Sequence, residues 1–335
     1  MPIPNSRRRV LTRAGLAAAL CATTAISAAC SSGKSSVPAG ASSSSGKTFT
    51  IGVAEADTTI SFLAALDKSV ENEAAKLGMK TVILDGHLDN ATQAANVETL
   101  TAKKVDLMLV VSSSPTAVVS AVNKARDAGI PVMALNAQLD PAAKVLTYIG
   151  DSDFDYGAGE GQLLVKALPK GGKIAIILGP LGDTPEVQRL AGIKSVLKDH
   201  PEIQVVATPE DDFDNSKNLK VTQDLLAKYS TGTLDAVVAE GPEMYVGANY
   251  AQKAGRTDIA FVAGDYSTQV QDAITNGALF GTVNQSPVLE GKLGADYAYK
   301  WLTGKQGDVP QPKALIPLPQ ITKDNVSGNP AEWSG

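Results

Sequence analysis

Short apolar runs alternate with amphipathic segments along most of this chain. Residues 48–53 alternate polar and apolar side chains, which predicts a strand that is buried on one face. The next segment predicts a helix, because its apolar residues recur at steps of three and four and it stops at Gly78, a residue type favoured after helices. Those apolar residues are Leu63, Leu66, Val70, Ala74 and Leu77.

The alternation of strand and helix continues as far as residue 263. Further strands are predicted at 81–84, 107–111, 131–135, 173–178, 204–208, 236–239 and 260–263, and further helices at 90–103, 117–128, 186–198, 216–228 and 243–254. Apolar strands between helices are typical of parallel sheets covered on both faces. The cycle restarts after Tyr148, which predicts two similar lobes rather than one wide sheet. Ligands of such sheets bind beyond the carboxyl ends of the strands, so the predicted site is the cleft between the lobes.

Residues 1–29 are predicted to be a signal peptide. Arg7, Arg8 and Arg9 form a basic start, and the uncharged run 14–29 is short for a membrane span. Small residues precede Cys30, an order that resembles a lipoprotein signal with a lipidated cysteine, although Ser27 stands where Leu is usual. The arginines also resemble a twin-arginine signal, and an ordinary Sec signal remains an equal alternative. Residues 30–47 then form a predicted lipid anchor and Ser-rich tether.

Composition and charge exclude several classes of function. The formal net charge is −5, and the predicted leader holds basic residues but no acids, so the body is more acidic still. Nucleic acid binding needs a basic face, so no nucleic-acid partner is expected. Both cysteines, Cys21 and Cys30, lie at the N-terminus, which argues against a disulfide framework or a thiolate metal site. The two histidines are far apart in sequence, and we expect neither a metal nor a cofactor.

Motifs of nucleotide binding and nucleophilic catalysis are missing from the sequence. Residues 171–173 (Gly-Gly-Lys) precede a predicted strand, whereas a phosphate-binding loop follows one, so they indicate a turn. Residues 157–161 (Gly-Ala-Gly-Glu-Gly) depart from the dinucleotide fingerprint and favour close helix packing. No Gly-x-Ser-x-Gly elbow occurs, and the histidine positions suggest no nucleophile–base pair. An enzyme is therefore disfavoured.

From about Phe49 to Lys323 the chain resembles the type I periplasmic binding proteins, in the ribose-binding-like sugar group. The motifs that carry the resemblance are residues 71–78, 96–100, 128–132, the Arg-x-x-Gly-apolar run at 189–193, and Asp265 after an apolar strand. The resemblance implies an α/β fold of two Rossmann-like lobes with parallel sheets covered by helices and a three-segment hinge. Lobe 1 is expected over 48–151 plus 286–316 and lobe 2 over 152–285 plus 317–335, with crossings near Asp151, Gln285 and Pro317.

The family's sugar contacts map unevenly onto this sequence. The resemblance gives these candidate ligand-binding residues: Phe62 as a stacking aromatic, Thr59 or Asp57 for a polar contact, Asn136, Phe213, Glu240 beside Gly241, Asp265 and Gln285. An aromatic face packs on sugar C–H groups, and carboxylates or amides hydrogen-bond adjacent hydroxyls. Alternative interpretations remain open: core packing for the two phenylalanines, helix capping for Asp265, and hinge hydrogen bonds for Asn136 and Gln285.

Two arginines that the family uses on sugars are absent, because Ala137 and Val187 stand in their places. A planar guanidinium suits ring-borne oxygens, so the hypothesis is a short acyclic polyol or a smaller, less oxygenated sugar. The predicted function is a monomeric solute-binding lipoprotein at the outer face of the cell membrane, which closes its hinge on a neutral sugar or polyol and delivers it to an ABC permease. A sensory protein that reports to a membrane receptor is the alternative.

Overall fold

The computed structural model describes residues 47–334, so the predicted signal peptide and lipidated Cys30 lie outside the described residues, as does nearly all of the tether. Two six-stranded sheets form in this part of the chain. The strands are β1 (Thr50–Glu55), β2 (Lys80–Asp85), β3 (Leu107–Val110), β4 (Val132–Leu135), β5 (Tyr148–Gly150), β6 (Gly172–Ile177), β7 (Ile203–Ala207), β8 (Ala236–Ala239), β9 (Ala260–Gly264), β10 (Gly281–Val283), β11 (Lys313–Leu315) and β12 (Gln320–Thr322).

Helices connect most of these strands. They are α1 (Ser61–Lys76), α2 (Asn90–Ala102), α3 (Val119–Asp127), α4 (Asp153–Ala167), α5 (Thr184–Leu197), α6 (Asn215–Lys228), α7 (Met244–Lys253), α8 (Thr268–Thr275) and α9 (Pro287–Leu302), with short 3₁₀ turns at Gln306–Asp308 and Val326–Gly328. None of the helices in residues 47–334 combines the length and apolarity that crossing a bilayer requires.

The two sheets repeat one topology. The first has the order β11-β5-β4-β3-β1-β2 and the second β12-β10-β9-β8-β6-β7. The strands pair in parallel, except that β12 runs antiparallel to β10. The prediction of two α/β lobes with parallel sheets is therefore confirmed, and we use first lobe and second lobe for the units built on these two sheets.

Both faces of each sheet are covered by helices, as the apolar strands predict. In β3, Leu107 and Leu109 pack in the cluster that holds α1 and α9, whereas Met108 and Val110 pack with α2 and α3. Alternate side chains of a strand point to opposite faces, so a fully apolar strand serves two cores. The second lobe repeats this arrangement, with α6, α7 and α8 on one face and α4 and α5 on the other.

Glycines bring α4 and α5 unusually close. A Cβ added at Gly157 would lie less than 3.0 Å from the Arg189 backbone, and one at Gly192 equally close to the carbonyl of Phe154. The prediction of close helix packing by the glycine run at 157–161 is confirmed. The prediction of a turn at residues 171–173 is wrong for two of the three residues, because β6 begins at Gly172 and only Gly171 precedes the strand.

The chain passes between the sheets after β5, after β10 and between β11 and β12. Its last residues also touch both lobes. The Trp333 carbonyl accepts from Thr268 N–H of α8 at 2.9 Å, while the Trp333 side chain packs in the first-lobe core, edge-to-face with Phe62 at 5.7 Å. The segment 317–335, which is expected in lobe 2, therefore contacts both lobes through Trp333.

Candidate binding site between the two sheets

A cavity of about 100 Å³ lies where the carboxyl ends of the two sheets face each other. Ala56, Val111 and Asn136 line it from the first lobe, each directly after or within one residue of the end of β1, β3 or β4. Asp265 lines it from the second lobe, directly after β9. The strand-end rule therefore holds for both sheets, and the cavity is walled by both lobes.

Five of the eight residues predicted from the sequence line this cavity: Phe62, Asn136, Phe213, Asp265 and Gln285. Asp57 and Thr59 are not in its wall. They bond each other, with Thr59 Oγ1 donating to Asp57 Oδ1 at 2.5 Å. Glu240 is also not in the wall, because its buried carboxylate points at the backbone, where Oε2 accepts from Gly179 N–H at 3.0 Å.

Three of the lining residues have left-handed backbones. The φ angles are 64° at Asn136, 56° at Phe213 and 50° at Asp265. Side chains other than glycine rarely adopt this region, and at bulky residues such as Phe it is strained. Strain of this kind persists where the surroundings fix it and is frequent at ligand-binding sites. The turns at the ends of β4 and β9 are thus held in conformations that aim Asn136 and Asp265 into the cleft.

The ring of Phe213 lies against backbone at the ends of β6 and β8. A Cβ at Gly179 or Gly241 would come within 3.0 Å of this ring, so only glycine leaves room for it. Asp211 supports the turn by accepting from Phe213 N–H at 3.1 Å and from Asn218 Nδ2 at 2.8 Å. The aromatic face is therefore fixed before any ligand arrives.

Asp265 is held by Tyr156 of α4. Its N–H donates to the Tyr156 hydroxyl at 2.6 Å, and that hydroxyl donates to Asp265 Oδ1 at 3.0 Å. Burial raises the pKa of Asp265 to about 6, against the lowering effect of Arg189 and of the tyrosine hydroxyl. The N-cap of α8 is Ser267, whose hydroxyl accepts from Val270 N–H. Asp265 is therefore not the helix cap, and its Oδ2 is left to face the cavity.

A chain of hydrogen bonds crosses from one lobe to the other behind the cavity. Arg189 Nη2 donates to Gln285 Oε1 at 2.8 Å, and Gln285 Nε2 donates to Glu290 Oε1 at 2.7 Å. Asn136 Nδ2 donates to the other oxygen of Glu290 at 3.1 Å. Gln285 thus makes the inter-lobe hydrogen bond that the alternative interpretation expected, whereas the bond from Asn136 stays within the first lobe, and both residues also line the cavity.

Arg189 is the centre of a buried cluster of acids. Its Nη1 donates to the Glu240 carbonyl at 2.7 Å, its Nε lies 3.4 Å from Asp153 Oδ1, and its guanidinium stacks 3.8 Å from the Tyr156 ring centre. Burial raises the pKa of Asp151 to about 8, with a further rise from Asp153. Arg189 is therefore a cation among several carboxyl groups whose pKa values burial raises.

Sequence reasoning missed several lining residues. Arg189 was assigned a structural motif, and it also lines the cavity; Ser112 and Ser113 follow β3, and the strand-end rule indicated that position. Val187, at the position of a family arginine, is exposed and outside the wall.

Within residues 47–334, no group of His, Cys, Asp or Glu side chains is arranged to hold a metal ion.

Comparison with known proteins points to one family. The family described as "Periplasmic binding protein domain" matches residues 51–306. A ribose import binding protein of Bacillus subtilis is 31% identical over 78% of this chain and 84% of its own length. A xylitol-binding protein of Mycolicibacterium smegmatis is 30% identical over 86% of this chain and 81% of its own. An ABC transporter solute-binding protein of Mycobacterium smegmatis, solved with bound glycerol, superposes with a TM-score of 0.78 at 25% identity, covering 86% of this chain and all of that one.

Proposed function

The chain belongs to the periplasmic binding proteins, in the group of sugar-binding proteins that serve ABC importers and bind solutes without transforming them, and on this premise we propose that it captures a small neutral sugar or polyol in the cavity between its lobes. The cavity is the observation that carries the proposal. Its wall combines an aromatic ring on a fixed turn, Phe213, with carboxyl and amide groups at Asp265 and Asn136. These groups suit C–H faces and hydroxyls respectively.

Hinge closure is the proposed mechanism of capture. A solute that touches Asn136 on one side and Asp265 on the other favours the arrangement in which both are close, by as much as its affinities for the two states differ. The Arg189–Gln285–Glu290 chain is proposed to set the closed geometry, because it joins the lobes without using the solute. The permease of an ABC importer would then receive the loaded form.

Export and lipidation complete the proposal. The predicted signal peptide at 1–29, the lipid on Cys30 and the tether to residue 47 would keep the binding lobes at the outer face of the membrane. The Cys30→Ser variant is expected to leave the membrane fraction and appear in the medium or periplasm, with its cavity intact. Fractionation with solute-binding assays on both fractions checks this, and a variant that stays in the membrane fraction as the parent does would remove the anchor from the proposal.

Phe213→Ala tests the site. Ribose, xylitol and glycerol are expected to raise the melting temperature of the full chain, each according to its affinity. Loss of the aromatic face is expected to weaken the tightest of them about tenfold or more, since burying such a ring contributes about 1.5–3 kcal/mol.

Phe154→Ala is the matched control, because Phe154 is an exposed ring on α4 outside the cavity wall. It should bind as the parent does. Equal binding by the Phe213→Ala variant, or thermal shifts only from amino acids or nucleosides, would place the function elsewhere.

A further inference from the structure

The two lobes present chemically different walls to the cavity. The charged side chains among the described lining residues all come from the second lobe: Asp183, Arg189, Glu243 and Asp265. The first lobe contributes mainly apolar groups, among them Ala56, Ile60, Phe62, Leu63, Val111 and Ala137. A solute that bridges the lobes therefore meets two different environments.

The polar side chains of the first-lobe wall are already engaged by the protein. Ser112 Oγ donates to Gln93 Oε1 at 3.0 Å, and Ser113 Oγ lies 3.4 Å from the same oxygen. Asn136 donates its Nδ2 to Glu290, which leaves its Oδ1 as an acceptor. A solute hydroxyl that meets the apolar part of this wall, away from Asn136 and the two serines, would therefore lose its hydrogen bonds, and leaving a buried polar group unpaired is costly.

The second-lobe wall offers mainly acceptors. Glu243 lines the cavity as a largely buried carboxyl group, and its Oε2 is inaccessible to solvent and has no hydrogen-bond partner among the described residues. Asp265 uses Oδ1 for the Tyr156 hydroxyl, and Arg189 directs both terminal nitrogens to protein acceptors. Each solute hydroxyl can donate one hydrogen, so hydroxyls suit this wall.

We infer that the solute is an amphipathic sugar or polyol, with hydroxyls at the end that meets the second lobe and a deoxygenated end, such as a terminal methyl group, against the first. This inference rests on the proposed function and narrows its substrate class. Apolar contact with Ile60, Leu63 and Val111 replaces the hydrogen bonds that a fully hydroxylated end would lose there.

Matched solute pairs test the inference on the full chain by titration calorimetry. The pairs are glycerol with 1,2-propanediol, D-ribose with 5-deoxy-D-ribose, and L-galactose with L-fucose, each differing by one terminal oxygen. In the pair that binds most tightly, the deoxygenated member is expected to bind at least about tenfold more tightly than its hydroxylated partner. Equal or tighter binding of the hydroxylated member overturns the inference and leaves the proposed function standing. If neither member of any pair binds, the proposed function itself fails, and the inference falls with it.

Variants of the first-lobe wall test whether its apolar side chains cause the preference for the deoxygenated solute. Val111→Thr keeps the shape of the side chain and replaces a methyl group with a hydroxyl. Ile60→Thr also introduces a hydroxyl, at a less buried position, and shortens the side chain by its terminal methyl group. Both are expected to shrink the preference for the deoxygenated member several-fold, because the new hydroxyl gives the terminal oxygen a partner. Val187→Thr, exposed on α5, should leave the preference unchanged. If the preference is unchanged in both wall variants, the first-lobe wall does not recognise the deoxygenated end of the solute.

Discussion

The two lobes share strand order and helix layers but differ in what they bury. Among residues 47–334, the first lobe buries four charged side chains, Glu55, Asp67, Glu290 and Asp151 at its crossing, whereas the second buries eight. The eight are Asp153, Glu160, Glu186, Arg189, Asp211, Glu240, Glu243 and Asp265. One topology therefore supports two kinds of interior.

The difference shows how each lobe builds its half of the site. The first lobe positions its wall by packing, since its lining side chains such as Phe62 and Val111 belong to the apolar core cluster. The second lobe positions its wall by hydrogen bonds and charge, through Tyr156, Arg189 and Asp211. Buried polar networks fix geometry when every member is satisfied and become costly when one member is lost. Removing one residue should therefore damage the second lobe through charge and the first through lost contacts.

Arg189→Met is the largest expected effect. Methionine fills similar space but removes the cation that lies among Asp153, Asp265 and the Glu240 carbonyl. Breaking a buried charge cluster from one side typically costs about 3–5 kcal/mol, and we expect the free energy of unfolding to fall by that amount.

Urea unfolding measures the Arg189→Met effect, with Lys194→Met as control. Lys194 is exposed on the same helix, and its replacement should change the free energy of unfolding by less than about 0.5 kcal/mol. A loss below about 1 kcal/mol for the arginine variant would mean that charge does not hold the second lobe together.

Trp333→Ala tests the packing side of the comparison. The indole is buried against Phe62 in the first-lobe core, and the tail is held by Thr268 N–H on Trp333 O, Ala331 N–H on Gln271 Oε1, and Ser286 Oγ on Glu332. Removing a buried indole should lower the free energy of unfolding by about 3 kcal/mol, measured in urea.

The Trp333→Phe variant tests how far the contact depends on the size of the ring. Trp333 Nε1 has no hydrogen-bond partner among the described residues, so the phenylalanine variant loses contacts but no hydrogen bond. It should retain more than half of the stability that the alanine variant loses. Equal losses in the two variants would show that ring size, and not the presence of an aromatic, decides the contact with Phe62.

The long periodic elements could be predicted from the sequence, and the short or glycine-rich ones could not. Helix α1 follows its apolar repeat from Ser61 to Lys76, because burial of one face and local periodicity agree there. Helix α4 carries three glycines and shows no helical signal, since glycine disfavours helix; tertiary contact with α5 stabilises it instead. Strands of three residues such as β10 and β11 are too short to show a period.

The same division applies to the site. Asn136 and Asp265 could be found because strand ends are visible in the apolar pattern. The role of Arg189 could not, because Gln285, its partner, lies 96 residues away and only the folded chain brings the two together. Glu240 was expected in the wall because it is next to Gly241, but the turn after β8 directs its carboxylate to the Gly179 amide.

The pH dependence of stability is the smallest effect and the finest test of the comparison. Burial raises the pKa of Glu240 in the second lobe from 4.5 to about 8. Between those values the folded chain holds a proton that the unfolded chain has released, so the stabilisation is complete below about pH 4.5 and is lost as the pH rises through about 8. Each such group lowers the free energy of unfolding by about 1.4 kcal/mol per pH unit across that window.

Glu240→Gln, which keeps an oxygen for the Gly179 amide, should remove one such contribution from the slope measured by urea unfolding between pH 5.5 and 7.5. Asp127→Asn, a mostly exposed carboxylate of the first lobe, should leave the slope as it is. If the two variants have the same slope, the buried acids of the second lobe do not govern its stability, and the contrast between the lobes lies in packing alone.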